Sequence, residues 1–248
     1  MLTTTTLTLR ATEAVATDPI PFHDATEAVP VTIRECAKIV GGLSAPGKMP
    51  CHSYSLDARK CKNGAKLRKV KGSTCSKCYA YGGCYNFPVV IAAMQRRFDS
   101  LTDPRWTAAF VQILSRKRNK FFRWHDSGDI QSVNHLRNIV EVAKRTPDIS
   151  HWIPTREYGI VREYLRTYGA FPRNLRVRVS AAMIDGTAPA EFEYTSEVST
   201  TPPVDPVADA FNGKRHCPAY KQGGKCKGEV IDCRSCWGPC RTIVYPLH

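Results

Sequence analysis

The chain has 248 residues, of which 42% are hydrophobic and 23% are charged, as expected for a globular protein of one large or two modest domains. It carries 36 lysine and arginine residues against 22 aspartate and glutamate residues, a formal net charge of +14. No apolar run is long enough to span a bilayer, and the first residues lack the pattern of a signal peptide. We therefore expect no membrane contact and a reducing cytoplasmic location.

The first third of the chain has little apolar periodicity. Residues 1–33 are rich in Thr, Ala and Pro, a composition typical of a mobile or loosely docked arm. Residues 34–87 are loop-rich and basic, and they contain a group of cysteines: Cys51, Cys61, Cys75, Cys78 and Cys84. Such a segment cannot bury a core of its own, so we expect a bound metal to stabilise it.

Residues 88–184 alternate between helical and strand patterns and form the predicted core. We expect helices over Pro104–Arg116, from Ser132 to Pro147 and up to Gly169, and strands at Phe121–His125, Trp152–Pro154 and Leu175–Ser180. Strands that alternate with helices over short links predict a parallel α/β sheet. We expect an incomplete (β/α) barrel, with a doubly wound sheet as the alternative.

Polar side chains follow the ends of these strands. His125, Asp126 and Asp129 come after the first strand, Arg156 and Glu157 after the second, and Ser180 ends the third. In a parallel sheet all these positions share the carboxyl edge, where ligands bind, so the first five are candidate catalytic residues. The alternative is structural, with Asp129 as a helix cap and the Arg–Glu pair as a solvated bridge.

The C-terminal part contains the second cysteine group. Residues 185–214 are rich in Pro and Thr and are predicted to form a linker loop, and residues 215–248 form a cysteine knuckle followed by a last strand near Ile243–Tyr245. The knuckle supplies four thiols in a glycine-rich segment: Cys217, Cys226, Cys233 and Cys236. Glycines allow the tight backbone that brings such thiols together.

Each cysteine group includes a pair two residues apart, which can direct two thiolates to one metal. The predicted ligands are Cys51, Cys61, Cys75 and Cys78 in the first group and Cys217, Cys226, Cys233 and Cys236 in the second. Zinc sites usually have two close pairs, whereas these uneven gaps favour an iron–sulfur cluster, most simply [4Fe–4S]. Zinc remains an alternative, especially at the C-terminal site, as do free thiols beside a redox-active pair in the first group.

Two basic clusters predict contact with anions. The first runs from Arg59 to Lys71 without an acidic residue, and the second lies at Arg116–Arg123. Such clusters suit nucleic acid or another anionic ligand, and a host protein is a further candidate partner. The alternatives are a solvated face, or cations that offset the charge of a thiolate-ligated cluster.

Three blocks of the sequence resemble one protein family. These blocks are KMPCHSYSLDARKCKNGAKLRKVKGSTCSKCYAYGG, RWHDSGDIQSVNHLRNIVEVAKRTPDISHWIPTRE and CPAYKQGGKCKGEVIDCRSCW. They are similar to gene product 88 of actinobacterial phages, over about Lys48 to the C-terminus. The resemblance implies expression in a host bacterial cytoplasm and implies no particular reaction. The layout also resembles that of radical S-adenosylmethionine barrels, although the Cys-x3-Cys-x2-Cys run of those enzymes is absent.

Two functions are compatible with these features. In the first, the protein is a phage-encoded iron–sulfur protein, a redox or radical-type enzyme whose cluster faces the strand-end residues. In the second, it is a non-catalytic protein in which zinc or iron–sulfur centres stabilise loops while the basic surface binds nucleic acid or a host protein. A site with only three thiolates favours the first function, and complete four-thiolate ligation favours the second.

Overall fold

The computed structural model describes residues 18–30, 32–201, 214–226 and 232–247. Its α-helices are α1 (Ile33–Ile39), α2 (Lys62–Leu67), α3 (Pro88–Ser100), α4 (Trp106–Ser115), α5 (Val133–Arg145) and α6 (Tyr158–Tyr168). Its strands are β1 (Ser53–Tyr54), β2 (Phe121–Trp124), β3 (Ser150–Thr155), β4 (Leu175–Ser180), β5 (Tyr194–Ser199), β6 (Lys214–His216) and β7 (Thr242–Pro246). Within the described residues, no helix is long and apolar enough to cross a membrane.

The seven strands form one sheet in the order β1-β2-β3-β4-β5-β7-β6, and every neighbouring pair is parallel. The predicted α/β class is therefore confirmed. Strands β1 to β5 are neighbours in chain order, so each connection moves the chain one strand along the sheet. Helix α5 connects β2 to β3 and helix α6 connects β3 to β4.

Alternate residues of the central strands face two different layers. Phe122, Ile153 and Val177 belong to the main core with the helices, where α4 packs on α5 and α5 on α6. Trp152 faces the other side and packs with Trp237 of the C-terminal segment. The helices thus cover one face of the sheet, and the C-terminal knuckle covers part of the other.

The cysteine-rich N-terminal segment lies across the carboxyl edge of the sheet. The Leu56 amide donates to the Ser127 carbonyl (2.8 Å) beside the end of β2, and the Thr74 amide donates to the Ala182 carbonyl (2.9 Å) beyond β4. Isolated bridge pairing of Ser73 with Met183 adds a further link. This segment therefore spans the strand ends at which the sequence predicts a site.

The structure adds to the sequence-based expectation in two segments. Strand β5 lies inside the predicted linker of residues 185–214, where its polar sequence gives no apolar alternation, yet its backbone pairs with β4 and β7. Residues 1–17 of the predicted arm lie outside the described residues. Residues 18–30 of that arm contact helix α5, where the Asn134 amide donates to Asp18 (2.8 Å) and the His23 amide donates to Asn138 (2.8 Å).

Candidate metal centres

Three cysteines of the first group come together at the carboxyl edge. The sulfur atoms of Cys61 and Cys75 lie 3.6 and 3.7 Å from the point that a Cβ atom on Gly64 would occupy. Cys78 is close enough to interact electrostatically with both thiols. Burial raises the pKa of Cys61 and of Cys75, and the Cys78 thiol adds to this effect at both. The raised pKa values favour the protonated thiols. A bound metal cation would favour the thiolates instead, since metals bind thiolates.

The backbone around these thiols is held by residues from the strand ends. Glu157, which follows β3, accepts hydrogen bonds from the amides of Lys62 (3.1 Å) and Asn63 (2.9 Å) at the start of α2. The Arg156 guanidinium donates through Nε to the Thr74 hydroxyl (2.7 Å), next to Cys75. The loops that carry the cysteines are therefore fixed by β3.

Asp129, Arg156 and Glu157 converge beside the three thiols. Asp129 accepts hydrogen bonds from the amides of Arg156 (2.9 Å) and Ile130 (2.8 Å). Burial raises its pKa to about 6, because a carboxylate is poorly solvated there. The charges of Asp129 and Glu157 both raise the pKa of Cys61, whereas the charge of Arg156 lowers the pKa of Cys75. This arrangement can hold a proton or an anion next to the sulfur atoms.

The other strand-end residues have different neighbours. His125 is buried in a left-handed conformation (φ 54°), and its Nδ1 lies 3.2 Å from the Tyr54 carbonyl. Burial lowers its pKa to about 3, so the ring is neutral at physiological pH. Asp126 accepts hydrogen bonds from the hydroxyls of Ser53 and Tyr85. Ser180 pairs with the Ser196 hydroxyl (2.9 Å).

Cys51 lies with the C-terminal cysteines rather than with the first group. It packs in the same apolar cluster as Cys236 and Trp237, and it interacts electrostatically with Cys226. The register of β1 against β2 explains this position, because Cys51 precedes β1 and so lies near the opposite edge from Cys61. The first group is thereby reduced to three neighbouring thiols, since Cys84 is exposed.

Five thiols gather around the knuckle, with Cys226 in the middle. Cys226 interacts electrostatically with Cys51, Cys217, Cys233 and Cys236. Burial raises the pKa of Cys217 to about 11 and that of Cys236 to about 12. Several of the thiols bond elsewhere, as Cys236 does with the Tyr245 hydroxyl (3.1 Å) and Cys233 with the Ser235 hydroxyl (3.3 Å).

Neither group is shaped around a single ion. Among the described residues, no three or more His, Cys, Asp and Glu side chains are arranged to hold a metal ion. Tetrahedral zinc, with Zn–S distances of about 2.3 Å, would need tighter convergence of the sulfur atoms. The donors nevertheless suit a thiophilic centre, because they are all sulfur and are largely shielded from water.

Comparison with known proteins gives one match. The model of a family described as gene product 88 matches residues 31–239 of the chain. The searches of curated proteins and of solved structures found no match. The resemblance to gene product 88 is thus confirmed, whereas the resemblance to radical S-adenosylmethionine barrels receives no support.

Proposed function

This chain belongs to the gene product 88 family, and we propose that it is an iron–sulfur protein with a cluster at the carboxyl edge of its sheet. One observation carries the proposal: Cys61, Cys75 and Cys78 lie together there without a fourth cysteine. A [4Fe–4S] cluster on these thiolates would leave one iron without a cysteine ligand. When bound, such a cluster supplies electron transfer or a coordination position for a substrate.

The surrounding residues suit a small anionic substrate. The Arg156 guanidinium is held at Nε by Thr74 and has further N–H groups for a carboxylate or phosphate. Asp129, with a pKa of about 6, exchanges a proton close to neutral pH. Glu157 positions the backbone of α2 and thus orients Cys61. Asp129 and Arg156 are therefore the proposed substrate contacts, with His125 and Asp126 as supports of the strand end.

We also propose that the parallel sheet forms an incomplete barrel. Strands β1 to β5 follow one another in chain order, and α4, α5 and α6 form one layer on a single face. This singly wound arrangement supports the proposal of an incomplete (β/α) barrel, a fold in which sites occupy the carboxyl edge. The sheet is proposed to curve around the knuckle, with the protein acting in the host bacterial cytoplasm.

Anaerobic purification tests the proposal. The protein is expected to be brown and to contain iron and acid-labile sulfide, because clustered thiolates in a reducing compartment retain such clusters. Iron, sulfide and zinc are measured together in the same preparation. Zinc alone, with no iron after reconstitution, would show that the proposed cluster does not form.

Paired substitutions assign the metal to its site. Cys75→Ser with Cys78→Ser is expected to remove the carboxyl-edge centre and to increase hydrogen exchange over residues 50–87, because metal binding supplies their folding energy. Cys84→Ser is the matched control and should retain the metal, since that thiol is exposed. Full metal content and unchanged exchange in the double variant would contradict the assignment. Cys233→Ser with Cys236→Ser should empty only the knuckle.

A second candidate function rests on the basic run between Arg59 and Lys71. In the part of the chain described, Arg59 is the member of this run that forms an ion pair, with Asp57. The exposed aromatic rings of Tyr79 and Phe87 follow in the same segment, at 59% and 58% exposure. Unpaired cations and exposed rings are the elements that bind single-stranded nucleic acid. In this alternative the metals stabilise the surface, whose partner is nucleic acid or an acidic host protein.

A further inference from the structure

Arg178 is a buried cation in the middle of the sheet. It lies on β4 with no measurable exposure, on the face that the knuckle covers. Its guanidinium donates to the carbonyls of Cys236 (2.9 Å), Cys240 (2.9 Å) and Gly238 (3.0 Å). Further acceptors are the carbonyls of Arg241, Ser235 and Thr195. Its hydrogen bonds are therefore satisfied by neutral carbonyl groups of the knuckle and of β5.

In the described part of the chain, no carboxylate pairs with the charge of Arg178. A buried ion without a counter-ion is strongly destabilising, and buried arginines are normally paired with an anion. Arg178 acts electrostatically on two groups that can carry a negative charge, the thiol of Cys236 and the hydroxyl of Tyr245.

A second arginine flanks the same thiols. Arg123 stacks on Trp152, with its guanidinium carbon 4.6 Å from the ring centre. Its Nη1 points to the thioether of Met49 (3.5 Å), a weak acceptor, and its buried Nε has no hydrogen-bond partner. Met49 also contacts the Cys226 thiol, sulfur to sulfur at 3.7 Å. The Nη2 of Arg123 donates to the Tyr79 hydroxyl (3.3 Å), and Asp126 acts on Arg123 electrostatically. Among the described residues Nε is thus the N–H group of Arg123 without a partner, and Arg123 acts electrostatically on the Cys226 thiol.

We propose that Arg178 and Arg123 are the counter-charges of a dianionic metal centre bound by Cys217, Cys226, Cys233 and Cys236. The inference rests on the proposed function, since it takes the protein to bind an iron–sulfur cluster, and it concerns a second centre at the knuckle and the charge of that centre. Four thiolates around an oxidised [4Fe–4S] core carry two negative charges, which the two cations offset. Arg178 acts through the knuckle carbonyls and is a positioning residue as well as a counter-ion.

The experiment compares Arg178→Met with Arg176→Met. Arg176 lies two residues earlier on β4 and also donates to Gly238, but it is partly exposed, so its loss removes a similar side chain without removing the buried charge. Both are made in the intact chain and in the Cys75→Ser, Cys78→Ser background, where the knuckle holds the remaining metal. Metal release to a chelator should be at least tenfold faster in Arg178→Met than in Arg176→Met. If the centre contains iron, its reduction potential should fall in Arg178→Met and recover in Arg178→Lys.

Each outcome is decisive. Equal release rates and equal potentials in Arg178→Met and Arg176→Met would overturn the counter-charge proposal while leaving the metal site intact. A parent protein without metal would overturn the proposed function and this inference together. If Arg178→Met does not fold, Arg123→Met carries the test, because that side chain lies at the rim of the cluster. Unchanged release and potential in Arg123→Met would then overturn the proposal.

Discussion

His151 shows how a buried titratable residue links pH to stability. Its Nδ1 accepts from the Trp124 indole (3.2 Å), and its Nε2 lies 2.9 Å from the Thr146 hydroxyl, which bonds to the Val142 carbonyl. This network fixes one neutral tautomer, because a proton on Nδ1 would face the indole N–H. Burial lowers the pKa of His151 to about 3.

The pH dependence follows from this shift. Below the unfolded pKa of about 6.5, the unfolded chain binds a proton that the folded chain does not, so stability is lost as pH falls. The slope per such histidine is at most about 1.4 kcal/mol per pH unit. His151→Asn should flatten the dependence of the unfolding free energy by about that amount between about pH 4 and 6. Urea titrations at several pH values measure it, with His52→Asn as the control. An unchanged slope would show that His151 is protonated in the folded protein.

At this scale the sequence predicts positions better than orientations. The strand ends at His125, Arg156 and Ser180 could be predicted from alternating helical and strand patterns. The buried orientation of the His125 side chain could not be predicted, because the positive φ of this residue depends on the tight packing of the loop that follows. Arg178 was also missed, although a strand reading Leu-Arg-Val-Arg-Val-Ser places arginine on a face that a central strand must bury.

The loop after β2 depends on one glycine. Gly128 has φ 81°, and a Cβ atom there would lie 2.6 Å from Leu56 Cβ and 2.9 Å from the Leu56 carbonyl carbon. The Leu56 amide donates to Ser127, so this contact joins the end of β1 to the end of β2. A side chain at position 128 would therefore separate the first two strand ends.

Gly128→Ala and Gly159→Ala form a matched pair. Gly128→Ala should destabilise the fold by about 2–4 kcal/mol, because it combines a strained φ with a backbone clash. Gly159 lies in α6 with open space around it, so Gly159→Ala should stabilise by about 0.5–1 kcal/mol. Thermal and urea unfolding of both variants measure the difference. Equal effects of the two substitutions would mean that the loop after β2 accommodates the added methyl group without loss of stability.

Element boundaries were predicted where apolar spacing is strong. Helices α4 and α5 and strand β4 lie close to their expected ranges, since each buries an apolar face against the core. Neither strand β5 nor the position of Cys51 beside the C-terminal cysteines was predictable, because both follow from strand pairing between distant parts of the chain. Grouping the cysteines by sequence proximity therefore misplaced Cys51, whereas the separation of the other thiols into two groups was predictable from spacing alone.

The whole molecule separates its two basic clusters. The run from Arg59 to Lys71 lies on the segment that crosses the carboxyl edge, whereas residues 116–120 immediately precede β2 and so lie near the amino edge. Lys69, Lys71, Arg118 and Lys120 are all exposed. Phosphate contacts beside the proposed cluster should therefore come from the first cluster alone.

Salt dependence tests this asymmetry on a fluorescent single-stranded oligonucleotide. Each phosphate contact contributes about −0.7 to the slope of log affinity against log salt, so Lys69→Ala with Lys71→Ala should make the slope shallower by about 1.4. Arg118→Ala with Lys120→Ala removes the same charge from the other edge and should leave the slope near that of the parent. Fluorescence anisotropy at several salt concentrations measures both variants. An equal change of the slope in the two double variants would show that only net charge matters. An affinity independent of salt would exclude phosphate contacts. A difference confined to the first pair would place the nucleic acid beside Cys61, Cys75 and Cys78, where the proposed cluster and Arg156 can reach it.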